Sequence, residues 1–335
     1  MAEIINGEFK RNETNEKSMG GTEQLTQKVA ERIDQTLLKE FQIVSSRVRE
    51  LDPDKIRIFW AHDLPGDPES EFLTTPAGKQ KFHKFVFVSN WQMQNYIARY
   101  SLPHSKCIVL RNFIDPFIIE EKEDPQDKIN LIYHTTPHRG LNILVPVFNK
   151  LCEKFDNLHL DVFSSFALYG WEQRDADFKN IFEELEKNPC VTNHGTQQND
   201  VVREALVKSH IFAYPATWQE TSCLSLIEAM SSKNLCVHSN FGGIYETASH
   251  WTNMYQMHED QNMHASAFYN MLEMTIENYK DMKPNVNPSK VYVDTFYGWE
   301  NRKPEWEALL KSMLTIIGDR SLPQESTEVF SYSTG

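Results

Sequence analysis

The sequence predicts an α/β protein with two domains, each built around a sheet of parallel strands. Short apolar runs alternate with longer helical patterns from end to end of the chain. The runs are continuously apolar, as in parallel strands that are covered on both faces. The length of 335 residues exceeds the roughly 250–300 residues at which one core stops growing. We therefore expect two strand–helix assemblies rather than one.

The apolar runs rich in β-branched and aromatic residues predict strands in the following order. They are Phe41–Ser45, Ile56–Trp60, Phe85–Ser89, Cys107–Leu110, Ile129–Tyr133, Leu158–Phe163, Cys190–Asn193, Ile211–Tyr214, Leu235–Ser239 and Met254–Met257. A further, very short strand is expected near Glu3–Asn6. The few residues before Gly20-Gly21 leave room for this one strand, so the first domain is expected to be short.

Helical patterns occupy the intervals between these strands, because apolar residues recur there at helical spacing. The predicted helices are Thr22–Glu40, Trp91–Arg99, Gly140–Phe155, Asp175–Lys187, Asp200–Lys208, Ser222–Ser231 and Asn262–Tyr279, and a last amphipathic helix begins near Pro304. The segment Ile118–Lys128 combines charges with a proline and is interpreted as a linker. We expect a first domain over 1–120, a second over 128–297, and a disordered tail over 322–335.

Composition excludes several functional classes. The net charge of −13 argues against binding to nucleic acid or to anionic membranes, which requires clustered Lys and Arg. No apolar run has the roughly 18–20 residues of a membrane span. The segment Met1–Lys17 has no apolar signal-peptide core. Five cysteines without Cys-x-x-Cys spacing indicate reduced thiols, so we expect a cytoplasmic protein.

The stretch from Tyr214 to Glu246 is the most informative one. A buried strand is followed by a polar loop and a helix, and ligands of open α/β sheets bind beyond the carboxyl ends of strands. Free amides in the first turn of that helix favour an anion. Glu220 lies in the loop and Glu228 lies six residues into the helix, roughly 9 Å further along its axis. Two such carboxylates can hold both hydroxyl-bearing ends of one elongated ligand; the alternative is an ordinary amphipathic helix with Glu228 exposed.

This stretch resembles the retaining glycosyltransferases of family 4, the group 1 glycosyltransferases of GT-B fold. The family motif has two glutamates separated by seven residues, and the remaining elements follow in the same order. The matching residues are Glu220-x7-Glu228, Ala229-Met230, Leu235-Cys236-Val237, Phe241-Gly242-Gly243 and Glu246. Ser222-Cys223 stand where the family often has Phe-Gly, and Asn234 replaces a usual glycine, which leaves the identity of the donor open. The resemblance extends from Gly20 to Trp306.

The resemblance implies two Rossmann-like domains that face a cleft, with a C-terminal helix over about 298–320 crossing back to the first domain. It implies a retaining, hexosyltransferase-like enzyme that needs no metal and no cofactor besides a nucleotide-diphosphate sugar as co-substrate. The acceptor is a hydroxyl of an unknown glycan, lipid-linked or other molecule. A sugar-nucleotide epimerase of the same fold and a non-catalytic sugar-nucleotide-binding partner subunit remain alternatives. A transferase acting on modified DNA is a further one, against which the net charge argues.

The resemblance also assigns site residues. In YHTTPHRGLNILVPVF, Arg139 occupies the place of a family lysine and His134 that of an arginine. A guanidinium forks onto phosphate oxygens, so Arg139 is expected to hold the diphosphate, unless it is a solvated loop arginine. His134 is expected to contact the donor and to be partly protonated beside it. His134 and His138 have a metal-like spacing, but Pro137 disrupts the helix that would present both, so no metal site is expected.

The remaining expected site residues lie in two other places. Gly20-Gly21 is expected to line the cleft near the donor phosphate, where glycines permit close approach of the backbone. His62, in RIFWAHDLP, is expected to orient the acceptor or the transferred sugar. Glu220, His62 and Arg139 are thus the expected catalytic residues. The donor-binding residues are Gly20, Gly21, His134, Arg139, Thr221, Ser222, Cys223, Leu224 and Glu228.

Overall fold

The described residues form two six-stranded sheets in a computed structural model that covers residues 2–11 and 20–316. The first sheet has the order β2-β1-β3-β4-β5-β6 and the second the order β12-β11-β10-β7-β8-β9. The strands are β1 (Ala2–Ile5), β2 (Glu8–Arg11), β3 (Phe41–Ser45), β4 (Ile56–Trp60), β5 (Lys84–Phe87), β6 (Cys107–Val109), β7 (Ile129–Tyr133), β8 (Leu158–Val162), β9 (Val191–Asn193), β10 (Ile211–Tyr214), β11 (Leu235–Ser239) and β12 (Asn253–Tyr255). The predicted tail, 322–335, lies outside the described residues.

The second sheet is parallel throughout, whereas the first has an antiparallel hairpin at one edge that sequence analysis missed. Strand β1 pairs antiparallel with both β2 and β3. The hairpin turns at Asn6-Gly7, where both residues have positive φ, 55° and 81°. An Asn-Gly pair is the preferred turn for two-residue hairpins. The signal was therefore present in the sequence, although the polar strand Glu8–Arg11 concealed it.

Helices cover the faces of both sheets, and their bounds follow. They are α1 (Gly21–Arg32), α2 (Gln35–Leu38), α3 (Pro76–Gln80), α4 (Asn90–Tyr100), α5 (Leu141–Cys152), α6 (Lys179–Lys187), α7 (Asn199–Lys208), α8 (Leu224–Ser231), α9 (Ile244–Ala248), α10 (Gln261–Glu277), α11 (Tyr279–Met282), α12 (Val286–Tyr297) and α13 (Trp299–Ile316). Within these described ranges, no helix is both long enough and apolar enough to cross a membrane.

The helices differ from those predicted, as three examples show. The expected helix Thr22–Glu40 is divided, because the Asp34 side chain caps a second helix by accepting a bond from the Thr36 amide at 2.8 Å. Helix α12 was not predicted, although Pro288 lies in its first turn, where a missing N–H is tolerated. The last helix begins at Trp299 rather than near Pro304, which lies inside it.

The C-terminal helix α13 packs on the first sheet. Trp306 is fully buried, and its ring lies 4.7 Å from that of Trp60 on β4, measured between centroids. Leu309, Leu310 and Met313 join the same core. The chain thus returns to its first half after completing the second sheet.

The linker between the sheets is fixed to the second one by a buried lysine. The Lys122 ammonium donates to the carbonyls of Leu206 and Ser232, at 2.8 and 3.0 Å. Burial lowers the pKa of Lys122 to about 7. The charged segment expected to be a linker is therefore anchored to the second domain at Lys122.

Candidate active site

A cleft of about 350 Å³ lies between the two sheets and is lined by residues of both halves of the chain. Gly21 and Lys28 contribute from α1, and Leu224 and Glu228 contribute from α8. His134 lines the same cleft from the loop after β7. The loops that follow β7 and β10 meet here because these parallel strands are neighbours. Of the expected site residues, Gly21, His134, Leu224 and Glu228 line this cleft. Its lining does not include the others, which are Gly20, His62, Arg139, Glu220, Thr221, Ser222 and Cys223.

Glu220 is a buried carboxylate next to this cleft, with only 5% of its surface exposed. Its Oε1 atom accepts hydrogen bonds from Arg139 Nη1 and from the Tyr214 hydroxyl, each at 2.5 Å. A buried carboxylate is costly unless it is paired and hydrogen-bonded, and both conditions are met here. Sequence analysis did not identify Tyr214 as a partner, because its hydroxyl contact depends on how the loop turns back over the strand.

Gly242 and Gly243 hold the backbone at Glu220. Gly242 has φ +82°, and a Cβ there would lie 2.6 Å from the Glu220 carbonyl oxygen. The Gly243 amide donates to that carbonyl at 2.5 Å. Only glycine allows this close approach together with the positive φ. The predicted Phe241-Gly242-Gly243 element is thus a backbone support for Glu220.

Arg139 lies between Glu220 and the ring of Trp218, whose centroid is 5.9 Å from the guanidinium carbon. Burial opposes its charge, but the Glu220 carboxylate outweighs burial and raises the pKa of Arg139 above its ordinary value. Its Nε atom is buried and has no hydrogen-bond partner among the described residues. The Arg139 side chain is 22% exposed and is paired with Glu220, so the alternative of a solvated loop arginine is wrong.

The Gly20-Gly21 pair lies where α1 of the first domain meets the second domain. A Cβ at Gly21 would lie 2.6 Å from Leu224 Cδ1, and one at Gly20 would lie 2.7 Å from the Tyr169 ring. Gly20 has φ −64°, so the pair is needed for close approach and not for a left-handed conformation. The glycines permit the start of α1 to lie against the start of α8.

His62 lies on the first-domain side of the interface. Its backbone carbonyl accepts a hydrogen bond from Thr221 Oγ1 at 3.0 Å, which places it beside the loop that carries Glu220. Burial lowers the pKa of His62 to about 3, so the imidazole is neutral. The part of the chain that the structure describes offers no hydrogen-bond partner to the buried Nε2 atom.

His134 is also neutral in this structure. Burial lowers its pKa to about 4, and its carbonyl accepts a bond from Ser225 Oγ at 3.0 Å. Partial protonation of His134 beside a bound anion stays a prediction. His138 stacks on Phe166, with 5.1 Å between ring centroids. Across residues 2–11 and 20–316, no group of three His, Cys, Asp or Glu side chains has the arrangement of a metal site.

Glu228 lines the cleft and is largely buried, with 13% of its side chain exposed. Its Oε1 atom accepts from Asn199 Nδ2 at 3.3 Å and lies 3.4 Å from Arg203 Nη1. Burial raises the pKa of Glu228, and Arg203 opposes this change. The alternative of an exposed glutamate on an ordinary helix is wrong. Asn199 and Arg203 were missed, but their spacing of four residues places them on one face of α7.

The first turn of α8 joins the two glutamates. Cys223 is its N-cap, and no described side chain caps the helix. The side chains of Thr221 and Ser222 bond to neighbouring residues instead. Thr221 Oγ1 donates to the His62 carbonyl, and the Ser222 hydroxyl lies 3.4 Å from the Thr247 hydroxyl. Amides in the first turn of a helix have no intrahelical acceptor and attract anions. The turn thus presents polar donors next to the cleft.

Two domains built on largely parallel sheets that face each other across a cleft define a GT-B architecture, and solved structures share it. A glycosyltransferase from Rickettsia africae ESF-5 matches with a TM-score of 0.63 at 16% identity, over 81% of this chain and 76% of that one. Anabaena Alr3699/HepE in complex with UDP-glucose matches with a TM-score of 0.61 at 15% identity, over 77% and 72%. The predicted GT-B fold is confirmed.

The chain belongs to the family described as glycosyl transferases group 1, whose pattern it matches over residues 115–286. The family resemblance predicted from the two-glutamate motif is thus confirmed. The gpi3 subunit of the Schizosaccharomyces pombe phosphatidylinositol N-acetylglucosaminyltransferase is 21% identical over 219 residues. That match covers 64% of this chain and 45% of the subunit, so the chain spans less than half of the length of this relative.

Arg139→Ala is predicted to reduce the free energy of unfolding by about 3–5 kcal/mol, because it leaves the Glu220 carboxylate buried without its ion-pair partner. The double variant Arg139→Ala/Glu220→Gln is expected to regain most of this loss. Arg49→Ala is the matched control, because Arg49 pairs with Glu69 at an exposed position and its loss should cost less than about 1 kcal/mol. Urea unfolding measures all three; equal losses for both arginines would show that the buried pair is not special.

Proposed function

We propose that this chain is a retaining glycosyltransferase that moves a sugar from a nucleotide-diphosphate sugar to a hydroxyl acceptor. One observation carries the proposal: a single cleft joins the largely buried Glu228, the first turn of α8 and the close-packed Gly21. An elongated ligand with an anionic centre and hydroxyl groups at both ends has matching partners along this line. The Anabaena relative solved with UDP-glucose supports a nucleotide sugar as that ligand.

The proposed donor lies along α8. Glu228 accepts hydrogen bonds from the ribose hydroxyls, and the diphosphate rests at the helix start, against Gly20-Gly21. Arg139 forks onto phosphate oxygens with its remaining donors. Its buried Nε–H, which no described residue accepts, is one such donor. The transferred sugar then extends towards Glu220, and His62 faces it from the first domain.

In the proposed reaction, the bond between the anomeric carbon and the diphosphate breaks while the acceptor oxygen attacks from the same face. The leaving phosphate takes the acceptor's proton, so no second carboxylate is required. Arg139 and the helix amides stabilise the growing charge on the diphosphate, which is the largest contribution expected in such a site. Glu220, already fixed by Arg139 and Tyr214, accepts a bond from a sugar hydroxyl and does not act as the nucleophile.

The proposed enzyme uses no metal and no cofactor beyond the sugar nucleotide, since cationic charge for the diphosphate comes from Arg139 and from helix amides. A glycan, a lipid-linked molecule or another hydroxyl compound is proposed as acceptor. The five cysteines are free thiols, which supports the proposed cytoplasmic location.

A non-catalytic sugar-nucleotide-binding subunit is the second candidate. It is favoured by His134, which stands where the family usually has an arginine and which burial keeps neutral. Such a subunit would bind the donor without turnover. Hydrolysis and transfer assays with a sugar-nucleotide panel and a broad acceptor panel distinguish the two candidates.

Glu228→Ala is predicted to weaken binding of the donor nucleotide by about 1.5–3 kcal/mol, which is the value of hydrogen bonds to a charged group. Isothermal titration with the sugar nucleotide that gives the largest thermal stabilisation measures the change. Glu204→Ala is the control, because Glu204 is an exposed residue of the neighbouring helix α7. Equal affinity of the folded Glu228 variant and the control would remove Glu228 from the donor site.

Glu220→Gln is predicted to reduce turnover severely, to leave donor binding in place, and to give no covalent sugar adduct. A glutamine keeps the shape of the side chain but loses the charge that holds the sugar hydroxyl. NMR of the first product formed by the native enzyme should show the anomeric configuration of the donor. An inverted product contradicts the retaining mechanism, and a sugar adduct on residue 220 in intact-mass spectra of the native enzyme contradicts same-face attack.

A further inference from the structure

A carboxylate of the second domain caps a helix of the first domain. The Glu246 side chain, on α9, accepts hydrogen bonds from the amides of Asn90 and Trp91, both at 3.0 Å. It also accepts a bond from Asn90 Nδ2 at 2.8 Å. Asn90 and Trp91 are the first two residues of α4, and they lie more than 150 positions earlier in the chain. The contact is therefore made between domains and not within one.

Two physical effects stabilise the contact between Glu246 and the start of α4. The first amides of a helix have no intrahelical acceptor, and the helix dipole favours negative charge at that end. Ser89 accepts from the Gln92 amide at 3.1 Å and satisfies one donor from within the first domain. Glu246 satisfies the two preceding amides with charge-assisted bonds. These bonds exist only while α4 and α9 are held in this arrangement.

The cap is linked to the loop that carries Glu220. Ser89 Oγ donates to the Thr221 carbonyl at 2.6 Å, and Thr221 Oγ1 donates in turn to the His62 carbonyl. Gly243, three residues before Glu246, lies directly under this junction. A Cβ at Gly243 would lie 2.7 Å from the Thr221 carbonyl oxygen and 3.1 Å from Ser89 Oγ. The capping contact and the Glu220–Thr221 loop are thus parts of one packed interface.

We propose that Glu246 is a positioning residue that latches the two domains together and thereby holds Glu220 and Thr221 opposite His62. Glu246 binds backbone amides of α4 and acts on the site only through the interface. The consequence for turnover rests on the proposed function. The latch itself does not, because its bonds join only groups of the protein.

The first test is hydrogen exchange of the ligand-free protein, measured by mass spectrometry on peptides that cover residues 88–96. Glu246→Ala should speed exchange of the Asn90 and Trp91 amides about tenfold or more, while peptides of α5 stay unchanged. Glu246→Gln keeps the size of the side chain and removes its charge, so an intermediate rate is expected. Glu259→Ala, at an exposed residue of the second domain, is the control. Unchanged exchange in a folded Glu246→Ala variant overturns the latch.

The second test separates positioning from a general structural role. With the donor sugar nucleotide and an acceptor, Glu246→Ala should lower kcat about tenfold and change donor affinity less than twofold, because the donor is bound mainly by the second domain. Glu246→Gln should recover part of kcat. Faster exchange with unchanged kcat would overturn the positioning role. Absence of turnover in the native protein would contradict the proposed function, and hydrogen exchange would still decide whether the latch exists.

Discussion

The buried ion pair between Arg139 and Glu220 is the interaction on which the candidate site depends. It joins the loop after β7 to the loop after β10, whose strands are neighbours in the second sheet. Neither charge is tolerable alone at this depth, so the pair fixes both loops in one arrangement. Tyr214, Gly242 and Gly243 complete the setting by holding the carboxylate and the backbone that carries it. A bound diphosphate would therefore share the Arg139 guanidinium with the Glu220 carboxylate.

Close approach of the two domains is the second constraint. Gly20 and Gly21 bring α1 against Tyr169 and α8, and Gly243 leaves room for Ser89 and Thr221 to meet. Larger side chains at these positions would separate the walls of the cleft. Glu220 itself is only 5% exposed, and electrostatic interactions are stronger where water is excluded. The proposed catalysis, by positioning and charge stabilisation, depends on this closeness.

The strand bounds of the second sheet were predicted closely, because parallel strands buried on both faces appear in the sequence as short apolar runs with clear ends. Strands β7, β10 and β11 have the predicted bounds. It failed where local signals competed, as at the polar strand after Asn6-Gly7 and at α12, which follows Pro284 and contains Pro288. In both cases the sequence contains the informative residues, Asn6-Gly7 and Pro288. Their structural role depends on their position within an element, which the local sequence does not give.

The family resemblance also identified Glu220, Glu228 and Arg139, because these residue types have a fixed order along the chain in the family. It did not indicate that Glu220 pairs with Arg139 and Tyr214, or that Arg203 lies beside Glu228. Such contacts join separate loops and helices, and only the folded chain brings them together. Burial likewise decides that His134 is neutral, and no feature of the local sequence reports burial at that position.

A crystal structure of the protein with a nucleoside diphosphate tests the central claim most directly, because each part of the ligand has a different partner in the cleft. The account predicts the ribose hydroxyls within hydrogen-bond distance of Glu228. It places the diphosphate at the first turn of α8, in contact with Arg139 and beside Gly20-Gly21. A nucleotide bound outside this cleft, or one bound with its diphosphate at Glu228 and its ribose at Glu220, would contradict the account.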